Sequence, residues 1–449
     1  MTEARARFTE GPLARHIVAM AGTSALGALA GFLVDILTLV YVSMLHDQAL
    51  LAAVGLAKTL VFINGAFASG MVIAAGVVLS ERIGKHDSQA LARWVTHLLI
   101  LALATSAFIG LLELACVAPV SGWLGTDAPV YEAARHFIWM ALPASLLLAA
   151  MQMCAQMLKA QGHVRRALGV LLSGAATLAL ADPLFIFVFD LGLDGAAMAY
   201  LLSSAVSLLV GLVLVKRHIG VSTTLRWKLF KLHTGQTLRI ALPAMLGNLA
   251  MPVGIIGLMV VVAGQGASAL AGMAVIDRVL QFAYCVFFAL PGALVPVLGQ
   301  NIGAGCDERF RTSVVLSRRL VVLYGLAVWC GLLVFGPTIA DWFELTSSGR
   351  AMFLAMCHFG AGFWILFGLD FVAQSVFLTT HRAWWVSVFG WLRGTLGSVP
   401  LVLLGARYGG GPGALIGMWV GNGLVAFAAV CFASRRTRQF LAERAQATG

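Results

Sequence analysis

Apolar stretches of 18 to 29 residues recur along the whole length of this 449-residue chain. In hydrocarbon every backbone N–H and C=O must be satisfied within the protein, so such stretches fold as helices or as closed barrels. The short apolar alternation that marks barrel strands is absent. A helix needs about 20 apolar residues to cross a bilayer, and these runs supply them. Composition points the same way: 60% of residues are hydrophobic and 11% are charged, whereas soluble domains carry about a quarter charged. The 49 glycines suit close helix–helix approach in lipid. The chain reads as an all-α integral membrane protein.

The runs predict twelve spans, near 17–44, 50–79, 94–117, 134–158, 168–188, 196–215, 240–263, 270–298, 319–338, 351–379, 385–405 and 414–433. With both termini in the cytoplasm, 24 of the 30 basic residues fall on the inner side, while the outer loops hold Arg135, Arg350 and Arg407. That asymmetry is the positive-inside rule. It accounts for the net charge of +11 without nucleic acid, which is excluded as a partner. The predicted location is a bacterial-type inner membrane, with the lipid bilayer as surroundings. No CxxC pair occurs among the seven cysteines, which read as small packing residues and not as a zinc site or disulfide framework.

The chain also repeats itself. Residues 52–84 align without gaps on 271–303 at an offset of 219, and QMLKAQGHVRRA at 156–167 matches QSVFLTTHRAWW at 374–385 in place. This predicts an N-lobe over 1–215, a cytoplasmic linker over 216–238, a C-lobe over 239–433 and a cytoplasmic tail over 434–449. The linker, basic with Trp227, Leu229 and Phe230 interleaved, reads as an interfacial helix. Two six-helix lobes facing one another would form a V whose rocking gives alternating access.

Among the carboxylates inside spans are Asp35 in GALAGFLVDILTLVYV and Asp182 in ATLALADPLFIFVF. An ionised carboxylate at that depth costs about 3 kcal/mol on the mildest scale, so an intramembrane acid is a functional candidate by default. Both sit roughly 12–13 Å below the outer surface at 1.5 Å per residue. Two acids at one depth tend to share a proton, because a like charge disfavours double ionisation. Pro183 frees a nearby carbonyl as a further acceptor. Protonation, or sodium, would then compete with a cationic solute for one negative site. Phe32, Asn64, Met151 and Tyr200 are candidates to line that pocket. In the C-lobe, Asp370 and Gln374 share a helix face by i,i+4 spacing and form a second candidate site. Asp277 and Arg278 are adjacent, cannot face each other, and read as a gate. His97 and His358 are read as packing residues, and Glu113 as an acid near the outer face with no special role.

PVLGQNIGAG at 296–305, LADPLFIFVFDLGLDGAAMAY at 180–200, LKAQG at 158–162 and Asp35 in the first span together resemble the multidrug and toxic compound extrusion (MATE) family. The resemblance covers residues 11 to 433. It implies a V-shaped, twelve-helix secondary antiporter, acting as a monomer and without a cofactor. Its substrate would be an amphipathic, often cationic drug or metabolite, exported against protons or, less readily, sodium. Asp35 and Asp182 match the acidic pair of the DinF-like branch. Three departures stand out: Leu178, beside Thr177, replaces an Asn; Tyr200 replaces a small polar residue; and no proline lies between Pro12 and Pro119. The seventh span has no acid, against the sodium-coupled pattern. A lipid-linked-oligosaccharide flippase is the alternative, but it would need cationic cavity residues. An enzyme would need a clustered acid or His motif on an inner loop, and none is present.

Overall fold

The computed structural model describes residues 6–44, 48–124, 128–222 and 224–448; side chains at 43, 48–62, 88–89, 120–121, 123–124, 128–130, 133–134 and 447–448 are not described. The side chains of Lys58 and Phe62 therefore lie outside the described residues. Fourteen α-helices run in order: α1 Leu13–Ser43, α2 Gln48–Gly84, α3 Ser88–Leu124, α4 Ala128–Ala160, α5 Val164–Pro183, α6 Gly192–His218, α7 Trp227–Ala263, α8 Ala267–Ala283, α9 Cys285–Gly303, α10 Asp307–Trp342, α11 Ser347–Ala355, α12 Ala361–Thr379, α13 Trp384–Gly394 and α14 Val399–Thr448. No strand occurs among the described residues.

Among these residues eleven segments are long and apolar enough to cross a membrane. The twelfth predicted span is present but merged, because α14 runs on through a kink. Gly409 and Gly410 leave helical geometry there, Gly410 at φ +57°, a conformation that costs glycine least. The eighth span divides at Tyr284 into α8 and α9. The fifth and tenth spans each contain a π-helical turn, Leu184–Val188 after Pro183 and Met356–Gly360 around His358. Proline explains the first: it cannot donate to the carbonyl one turn back, and the ladder re-forms with a wider spacing.

The chain forms two compact units, Met1–Glu10 with Leu26–Met245, and Gly11–Ala25 with Leu246–Gly449. In the first, α4 packs against α2, α3, α5 and α6. In the second, α12 packs against α9, α10, α13 and α14. This division differs from sequence boundaries at 215 and 239. The predicted interfacial helix is instead the first part of α7, continuous with the seventh span and belonging to the first unit through Met245. The reason is packing. His233 stacks on buried Trp94 with centroids 3.5 Å apart, and its Nδ1 lies 2.8 Å from His97 Nδ1. Met245 sits where a Cβ on Gly70 would clash, at 2.7 Å. His97 is thus a core residue facing another imidazole.

Candidate functional site

Asp182 closes α5 immediately before Pro183 and is completely buried. Its Oδ2 accepts a hydrogen bond of 2.5 Å from the Thr38 hydroxyl. Thr38 stands three residues after Asp35 on α1, so both lie on one helix face. That face is thereby held against the α5 carboxylate. Asp35 itself is exposed at this point of α1. Thr38 was not singled out from the sequence, although its spacing from Asp35 was the available signal.

Tyr200 of α6 is half-buried. Its ring packs on a core of the unit that includes Val42, Ile186 and Ala197, as do Leu39, Ile63 and Leu114. Leu39, Ile63 and Leu114 are the chain neighbours of Thr38, Asn64 and Glu113, which sets these polar groups of α1, α2 and α3 at the level of that core. Asn64 is buried there. Its main-chain N–H donates to Glu113 Oε1 at 2.9 Å, and its Oδ1 accepts from the Ser106 hydroxyl at 3.0 Å. Glu113 is therefore not an idle acid at the outer face; it is buried against a second helix. Phe32 is half-buried on α1, whereas Met151 is buried inside the core of the unit. Thr177, beside Leu178, turns its hydroxyl onto the Ser173 carbonyl at 2.8 Å.

The second unit arranges its acids differently. Asp370 is 2% exposed, and its Oδ2 accepts from both Arg393 and the Gln374 carboxamide, the latter at 2.8 Å. Arg393 also lies over the Phe367 ring at 5.3 Å. The i,i+4 pair read from the sequence is present, but its charge is neutralised by α13. A cavity of about 180 Å³ lies beside it, lined among others by Asp277, Phe288, Trp364, Phe367, Arg393 and Asn422. Asp277 points into this cavity, while the exposed Arg278 donates to Gln281 at 3.3 Å. The two neighbours point apart, as adjacent helical residues must. Among the described residues no cluster of three metal-ligating side chains occurs.

Comparison with known proteins gives the family. The chain is 23% identical over 438 residues to the FAD transporter of Shewanella oneidensis, covering 94% of this chain and 95% of that one. It is 23% identical over 306 residues to the probable multidrug resistance protein YpnP of Bacillus subtilis, covering 67% and 68%. Its fold matches a crystal structure of the Vibrio cholerae MATE transporter VcmN with a TM-score of 0.90 at 22% identity, over 95% and 97% of the two chains. The MatE family model matches residues 24–182 and 243–387, one stretch in each repeated half. The chain thus belongs to the MATE family of multi-pass membrane transporters.

Proposed function

We propose that this transporter is a secondary antiporter. It exports amphipathic, cationic drugs or metabolites in exchange for protons, working as a monomer in the inner membrane with both termini cytoplasmic. The observation that supports this reading is the Thr38–Asp182 hydrogen bond, which joins the helix that bears Asp35 to the α5 carboxylate. Asp35 and Asp182 bind the proton or the cation, and competition between the two ligands is the coupling. Sodium fits less well, because it favours several oxygen ligands and Leu178 supplies none. The acidic character of the site also disfavours the flippase alternative, which requires basic groups to hold a diphosphate. The Shewanella relative, an FAD transporter, widens the range of solutes to be assayed but leaves the acidic pair best matched to a cation.

The experiment is dye efflux from proteoliposomes containing the purified chain, first under an imposed pH gradient and then under a sodium gradient at constant pH. Efflux that follows the pH gradient, and is lost in Asp35→Asn and Asp182→Asn, supports the reading. Efflux that follows sodium alone refutes it.

A further inference from the structure

Glu113 is a buried carboxylate that the Asp35–Asp182 pair does not use. It is 6% exposed inside α3. Its Oε1 accepts the Asn64 main-chain N–H at 2.9 Å. Ser106 in turn fixes the Asn64 carboxamide, donating to Oδ1 while the Ser106 carbonyl accepts from Nδ2 at 3.3 Å. Every donor in this arrangement is neutral. Among the described residues no cation pairs with Glu113. The surrounding helices present Asn64 from α2 and Leu142 from α4 beside Gly110, and Tyr200 from α6 packs on the same core as Leu114. Asp370 shows the contrasting solution, a buried acid neutralised by Arg393.

Fastening two helices here does not require an ionisable group. At the repeat offset Asn64 corresponds to Ala283, where the second-half span breaks. There the following span holds the joint with a neutral contact: the Tyr324 hydroxyl of α10 donates to the Ala283 carbonyl at 2.8 Å. The first half uses a carboxylate at the same joint, despite the cost of burying one in an apolar bundle.

We propose that Glu113 is a second proton-carrying carboxylate of the export cycle, set beside Leu114 in the core on which Leu39 of α1 and Tyr200 of α6 also pack. This rests on the proton-driven reading above. An external proton binds the Glu113 carboxylate and leaves toward the cytoplasm as the site turns inward. A bound cation favours the ionised form of a nearby carboxylate, so its arrival releases the Glu113 proton as well as the one it displaces from the Asp35–Asp182 pair. One turnover then exchanges two protons instead of one.

The test measures protons released per ethidium bound by the purified full-length chain in weakly buffered detergent solution. Glu113→Gln keeps a carbonyl acceptor for Asn64. It should bind ethidium but release about one proton fewer than wild type. Unchanged release and an unchanged pH profile in Glu113→Gln overturn the proposal, while loss of release in Asp35→Asn leaves the export reading standing. No proton release from wild type overturns both. If Glu113→Gln does not accumulate, Ser106→Ala decides: it loosens Asn64 and leaves the acid in place. A shifted pH profile supports the role of Glu113, and an unchanged one refutes it.

Discussion

The Thr38 hydroxyl and the Asp182 carboxylate are joined at 2.5 Å across 144 residues of chain. A hydrogen bond to a charged group contributes about 1.5–3 kcal/mol, and this one ties the acid-bearing face of α1 to α5. Thr38→Val keeps the shape and removes the donor. It should slow the initial rate of dye efflux by about tenfold or more, whereas Thr38→Ser should retain most of it. Efflux rates at matched protein content check both.

Asp370 should behave as half of an ion pair. Removing one partner of a buried pair leaves an uncompensated charge and costs about 3–5 kcal/mol. Asp370→Asn is therefore expected to lower the yield of folded protein, and Asp370→Leu with Arg393→Met to recover it. Size-exclusion profiles of the purified variants decide. Among folded variants, Asp182→Asn should impair export more than Asp370→Asn does.

His163 lies in the turn between α4 and α5, just outside the spans. Burial, then Arg7, Arg166 and His218, push its pKa down to about 4. The Arg166 guanidinium donates to its Nδ1 at 3.1 Å, and the N-terminus of α5 disfavours a cation there. The unfolded chain takes up this proton near the ordinary pKa of about 6.5. The stabilisation from the neutral ring is therefore complete above that value and is lost progressively as pH falls from there to about 4. His163→Gln should flatten the melting temperature between pH 7 and pH 5 relative to wild type. An equal acid-induced drop in both proteins would rule the ring out.

Orientation has a direct measurement. Asp190 and His86 are both exposed at helix ends, on opposite sides by the charge argument. In a cysteine-free background, Asp190→Cys should react with an impermeant thiol reagent in intact cells. His86→Cys should react only after permeabilisation, and the reverse pattern would invert the topology.

The spans, their repeat and the two N-lobe acids were legible in the sequence because each is local: apolar length, charge bias and an acid in an apolar run. The partners of those acids were not. Thr38 meets Asp182 only through the packing of α1 on α5. Glu113 looked peripheral because its distance from Asn64 along the chain hides the contact between α2 and α3. Asp370 and Arg393 were both visible as charges within spans, but nothing local says that α13 brings one onto the other. Unit boundaries were equally hidden, since loops mark where a helix ends and not which neighbours it packs against.

The membership of α1 and α7 in both units has a consequence for how the chain is made. The first unit lacks the stretch that covers Trp94 and Gly70 until Met245 has left the ribosome, well past the loop that joins the two repeated halves. The opening of α1, Gly11–Ala25, is synthesised first yet belongs to the unit completed last. Neither half is therefore a self-sufficient folding module, and the duplication cannot be undone by cutting at 219–226. Two separately produced halves should reassemble poorly unless each carries the first-span segment of the other.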